Sequence, residues 1–118
     1  MKIKKSFSLK ELQNQFSTIF PGLKIEFYRT AEAGYDGPYE MLHYDLDTPV
    51  EMINPDLVDT ELSIDENEKV GDFENEISKL LGINVQVFRR SKELWLQTVK
   101  TDKWTLSRQN LKGIHSLN

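Results

Sequence analysis

The side chains in this 118-residue sequence best suited to chemistry fall into two sets. The first is His43 with Asp45, Asp47 and Glu51, followed by Asp56 and Asp59. An imidazole beside carboxylates can act as a general base or a metal ligand, and carboxylates are the hard oxygen ligands calcium prefers. Thr48-Pro49 interrupts the spacing a calcium loop requires. A solvated acidic loop is the commoner outcome, so the expectation is no metal, no cofactor and no catalytic residue. The second histidine, His115, has no such neighbours in sequence. No G-x-S-x-G elbow and no glycine-rich phosphate loop occurs. With no cysteine there is no thiolate nucleophile, thiolate metal site or disulfide framework.

The second set is aromatic and basic: Tyr28, Phe88, Arg90 and Trp95. Each has the opposite strand parity to the apolar residues Phe27, Val87 and Leu96, which predicts one patch on the open face of a sheet. Large exposed rings beside a cation mark contact surfaces unless a second layer covers them. These four residues are the predicted binding site, for an unknown protein partner or for self-association.

What must position them is a unit the chain uses twice, over residues 9–29 and 70–89. Apolar residues fall at Leu9, Leu12, Phe16, Ile19 and Phe20, and again at Val70, Phe73, Ile77, Leu80 and Leu81, with 61 residues between matched pairs. Both sets trace one face of a helix. Pro21-Gly22 stops the first helix and Gly82 the second. Alternating strands follow, ending in Tyr28-Arg29 and Phe88-Arg89. The predicted core joins Phe16, Ile19, Phe73, Ile77, Leu80, Ile25, Phe27, Val85 and Val87.

Ser8 and Glu11 form a capping box, with Phe7 and Leu12 placed as a hydrophobic staple; Lys69, at the matching position, cannot cap through a hydroxyl. Ile3, Phe7 and Leu9 alternate with Lys2, Lys4, Ser6 and Ser8, which predicts an opening strand, and Leu62 and Ile64 mark a third strand. Between the two units lies a long acidic insert, residues 30–59, in which 41–46 could form a short strand. Within it Thr48-Pro49-Val50-Glu51 reads as a helix start with Thr48 as N-cap. Lys92-Glu93 is the expected two-residue hairpin turn, with Leu94 and Leu96 on the core face. Thr105 caps a last helix that Gly113 should stop, and residues after Ile114 should fray.

The run Val85-Gln86-Val87-Phe88-Arg89, then Trp95-Leu96, Thr101-Asp102-Lys103-Trp104-Thr105-Leu106, Gln109-Asn110 and Gly113 resembles a family of small, uncharacterised bacterial proteins. Members of that family favour Gly-Asn at the hairpin turn. The resemblance is strongest over residues 83–113; it implies the hairpin register and carries no activity.

The order is β-α-β, insert, β-α-β, hairpin strand and short helix. It predicts one α+β domain over residues 1–118 on the ferredoxin-like β-α-β-β-α-β plan, with a ubiquitin-like roll as alternative. Charge is uneven: residues 30–68 hold twelve acidic residues and no lysine or arginine, whereas 69–118 hold nine basic and five acidic. RNA-recognition modules share the strand order but need aromatics on the central strands. Here those positions are Lys2, Lys4, Ser6, Glu61, Ser63 and Asp65, which argues against nucleic acid. No apolar run is long enough for a membrane span. The reading is a cytoplasmic, non-enzymatic binding protein. The rival is a small enzyme or metal-dependent protein using His43 and the acidic insert.

Overall fold

The computed structural model describes residues 1–117 and has an α+β fold. Its strands are β1 (Lys2–Ile3), β2 (Leu23–Tyr28), β3 (Thr60–Glu61), β4 (Asn84–Ser91) and β5 (Leu94–Gln97). The helices are α1 (Leu9–Ile19), α2 (Val50–Ile53), α3 (Val70–Leu81) and α4 (Leu106–His115). Two 3-10 turns lie at Tyr39–Leu42 and Val99–Thr101.

The strands form two antiparallel sheets, β1–β3 and β2–β4–β5. Both the ferredoxin-like plan and the ubiquitin-like roll need one sheet, so neither is formed. The departure begins at β1, which stops after Ile3 because Phe7 N turns back onto Lys4 O at 2.9 Å. The next carbonyls, of Lys5 and Phe7, accept from Glu51 N and Val50 N at 2.9 and 2.8 Å. Backbone committed to the start of α2 is not free to extend a strand. β3 is likewise shorter than expected and precedes Leu62, which is buried off the strand.

Helices α1 and α3 bury one stripe each against the core face of β2 and β4. Ser8 caps α1 as the sequence predicts: its Oγ accepts from Glu11 N at 3.3 Å and its N–H donates to Glu11 Oε2 at 2.8 Å. Phe16 stacks on Phe73 with ring centroids 5.1 Å apart. The buried stripes are Leu12-Phe16-Phe20 and Phe73-Ile77-Leu81, the i to i+4 rows. Ile19 and Leu80 fall off those rows: Ile19 is 46% exposed and Leu80 half-buried, so neither belongs to the predicted core centre.

The four helix starts meet in two pairs. At the first, Leu9 N donates to Thr48 O and Lys10 N to Leu46 O, while Val50 and Glu51 return bonds to Phe7 and Lys5. At the second, Val70 N donates to Trp104 O and Gly71 N to Asp102 O, while Leu106 and Ser107 return bonds to Glu68 and Glu66. Donors and acceptors match one for one. The acidic insert thus stands to α1 and β2 as the C-terminal segment stands to α3 and β4.

Within the insert, residues 41–46 do not form a strand. A 3-10 turn ends at Leu42, and His43 makes a single bridge to Tyr28. Pro49, not Thr48, is the N-cap of α2. In the tail, α4 runs through Gly113 to His115, because Gly113 serves as a contact point and not a stop: its Cα lies against the backbone of Gly22. Ser116 is held rather than frayed, accepting from Lys92 N at 3.0 Å and donating to Gly113 O at 2.7 Å. Asn118 lies outside the described residues.

Candidate functional site

The three-stranded sheet has outer edges on β2, on the part of β4 that β5 leaves uncovered, and on β5. Side chains and loops meet the first two. On β2, Ser17 Oγ donates to Leu23 O at 3.0 Å, Gln13 Nε2 to Ile25 O at 2.9 Å and Tyr44 N to Phe27 O at 2.9 Å. On β4, Val85 N donates to Ser78 Oγ at 2.9 Å and Val87 N to Glu74 Oε2 at 2.8 Å, while Thr98 Oγ1 donates to Val87 O at 2.9 Å. Capping of this kind is how folded proteins blunt an open sheet edge.

The edge of β5 has no such cap. Arg90 N donates to Gly22 O on the β2 side, so Arg89 and Ser91 turn their backbone groups to β5. Their register partners Leu96 and Leu94 answer them, which leaves the N–H and C=O of Trp95 and Gln97 pointing outward. Among the described residues nothing bonds to those four groups. The side chains are equally bare, with Leu94 65% and Leu96 39% exposed. Both leucines have the core-face parity expected of them but project past the cover of α3 and α4, so they do not join the core.

On the open face, cations and rings alternate. Lys24 Nζ sits 5.7 Å from the Phe88 centroid and 4.9 Å from that of Trp95, and the Arg90 guanidinium lies 5.3 Å from Trp95. Strand register explains the grouping: Lys24 faces Phe88, Phe88 faces Gln97 and Arg90 faces Trp95. Phe88, Arg90 and Trp95 lie together on this face, each half-buried. Tyr28 is not with them. It pairs with Asn84 at the far end of the sheet and is only 5% exposed, under Tyr39 stacked at 4.3 Å and His43 edge-on at 5.2 Å.

Comparison with protein-family models, curated proteins and solved structures finds no match to this chain.

Between Tyr28 and the cation–aromatic stripe lies a polar cluster centred on buried Glu26. One of its carboxylate oxygens pairs with His43 Nε2; the other accepts from Gln13 Nε2 at 3.2 Å and lies 3.0 Å from Lys24 Nζ. His43 is half-buried in this contact and is not joined by Asp45 or Asp47, the neighbours its sequence position suggests. Among the described residues no group of three or more histidine and acidic side chains gathers as a metal would need. Burial, reinforced by Glu26, Tyr39 and Glu40, pushes the Tyr28 phenol up to about 12. A hydroxyl that holds its proton so tightly is neither a base nor a nucleophile near neutral pH.

Sequence reasoning missed Lys24 and the open edge. Lys24 shares the parity of Tyr28, which was the available signal for placing it on this face. The edge leaves a fainter trace: Leu94-Trp95-Leu96-Gln97 carries no charge, unlike the charged edges folded proteins favour.

Proposed function

We propose that this chain works by binding, and that it takes an extended segment of a protein partner along the outer edge of β5. The observation that carries this reading is the contrast between edges: β2 and the uncovered part of β4 are capped by Ser17, Gln13, Ser78 and Glu74, while β5 offers Trp95 and Gln97 unpaired. An added strand gains main-chain bonds from the edge and specificity from pockets for alternate side chains. Leu94 and Leu96 supply apolar contact on one side of the sheet. Phe88, Trp95, Lys24 and Arg90 supply a cation–aromatic stripe on the other. The surplus of basic residues in the C-terminal third favours a partner with acidic groups beside the stripe.

Membership of the bacterial family that residues 83–113 resemble would add no activity to this reading. Neither a membrane nor a nucleic-acid role is needed for it; among the described residues no helix is long and apolar enough to cross a membrane.

The test compares the immobilised parent chain with two variants, Gln97→Pro and the pair Phe88→Ala with Trp95→Ala. Proline at an outward-facing edge position removes a donor without touching the β4 ladder. Both variants should keep the parent melting temperature and lose a protein that the parent captures from the native cell. A double alanine variant destabilised by several kcal/mol, as buried rings would be at about 3–5 kcal/mol each, defeats the reading.

A further inference from the structure

We infer that the edge of β5 is closed by β5 of a second copy, giving a two-fold dimer with one six-stranded sheet; this rests on the reading of that edge as a binding site. Three observations favour a copy over a foreign strand. The first is self-complementarity. Leu94-Trp95-Leu96-Gln97 has no charged residue, so an antiparallel copy meets it without like-charge opposition within the strand.

The second is register. Outward-facing residues must pair with outward-facing residues, so Trp95 can lie opposite Trp95 or Gln97, or Gln97 opposite Gln97. Trp95 opposite the partner's Gln97 sets Leu96 against the partner's Leu96 but leaves Leu94 facing Thr98, past the end of the partner's strand. Gln97 opposite the partner's Gln97 leaves both leucines beyond the partner's strand, because β5 ends at Gln97 and residues 99–101 form a 3-10 turn. With Trp95 on the two-fold axis, Leu94 meets the partner's Leu96 and Leu96 meets the partner's Leu94. The two exposed leucines of each copy then cover one another, and no like charges stand opposite. Aromatic and apolar cross-strand pairs of this kind stabilise antiparallel ladders.

The third is closure. The combined sheet would run β2-β4-β5 and then, in the partner, β5-β4-β2. Its outermost strands are both β2, whose edges are capped by Ser17, Gln13 and Tyr44. Pairing therefore stops at two copies and does not propagate into a filament. A foreign strand on β5 would leave its own outer edge open unless it brought a cap.

Sedimentation of the full chain from micromolar to millimolar concentration tests this. The expected result is a monomer–dimer equilibrium abolished by Leu96→Lys and by Gln97→Pro, with the melting temperature of each variant held at low concentration. Because the chain lacks cysteine, Leu94→Cys with Leu96→Cys gives an independent reading: a short thiol cross-linker should yield a covalent dimer. A control cysteine at exposed Val58 should not. A chain that stays monomeric throughout overturns the second-copy assignment, while loss of partner capture by Gln97→Pro alone would still uphold the edge as a binding site. A dimer that survives both edge variants overturns it too, since another surface then holds the copies.

Discussion

Gln13 in α1 and Glu74 in α3 do the same structural work on opposite halves of the sheet: each reaches the outer edge of the neighbouring strand, at Ile25 and Val87, which themselves stand directly opposite one another. The amide can donate to a carbonyl and the carboxylate can only accept, so Gln13 takes Ile25 O and Glu74 takes Val87 N. The difference has an electrostatic consequence. Burial, with Asp102 adding to it and the Val87 N–H opposing it, raises the Glu74 carboxyl from an ordinary 4.5 to about 7.

The folded state therefore holds the Glu74 proton more tightly than the unfolded chain. Its contribution to stability is fully present below pH 4.5 and is lost as pH rises through about 7. The swing is on the order of 3 kcal/mol. Glu74→Gln places at this position the residue already used at Gln13, and its side-chain oxygen can still accept from Val87 N. Denaturant unfolding should find the variant more stable than the parent above neutral pH, nearly equal in acid, and flatter between. A parent whose stability does not fall across this interval would show that water reaches the carboxylate freely.

A second prediction concerns the paired helix starts. In each pair one partner has a hydroxyl cap and the other has none: Ser8 faces Pro49, and Thr105 faces Lys69. At α3 the first two amides are taken by Trp104 O and Asp102 O, which leaves the Asp72 amide as the one a cap would satisfy. Lys69→Ser supplies the acceptor that Ser8 supplies to Glu11, and should stabilise by about 1 kcal/mol; Ser8→Ala should cost a similar amount. Equal stability of Lys69→Ser and parent would mean the backbone at 69 cannot aim a hydroxyl as Ser8 does.

Much of this was legible in the chain because it is local. The capping box, the two-residue turn at Lys92-Glu93 and the buried stripes of both helices depend on residues a few positions apart. The sheets were not legible, because which strand a strand joins depends on where distant backbone groups are satisfied. Nothing near Lys5 or Phe7 announces that their carbonyls will be taken by Glu51 and Val50. The matching of Tyr28-Arg29 with Phe88-Arg89 misled for a related reason. By the edge bonds Val87 matches Ile25, so Arg89 corresponds to Phe27, and Arg29 is exposed while Arg89 turns in to bond Gln109 Oε1 at 3.0 Å. The site divided in the same way: parity grouped Phe88, Arg90 and Trp95 correctly but could not say that the 3-10 turn at Tyr39–Leu42 would cover Tyr28.

The last prediction tests what holds the hairpin that carries the open edge. Gly113 of α4 and Gly22 of the α1–β2 turn meet backbone to backbone; a Cβ on Gly113 would lie 2.9 Å from Gly22 C and 3.0 Å from its Cα, with Gly22 O nearer still. Two effects of Gly113→Ala oppose each other. Alanine in a helix interior gains about 1 kcal/mol over glycine. The new methyl, however, must push α4 away from main-chain atoms, which cannot swing aside as a flexible side chain would, and overpacking of this kind costs about 1–3 kcal/mol. The displacement would also strain the bond from buried Gly22 N to Asn110 Oδ1, now 2.7 Å. Steric cost should win, so Gly113→Ala should destabilise despite its better helix propensity. Because Ser116, one turn on, ties Lys92 N and Arg90 O, the same variant should speed amide exchange at Lys92 before the β2–β4 ladder amides of Glu26 and Phe88 change. A variant as stable as the parent, with Lys92 exchange unaltered, would show that α4 can shift without cost and that the hairpin is positioned by the β4 ladder alone.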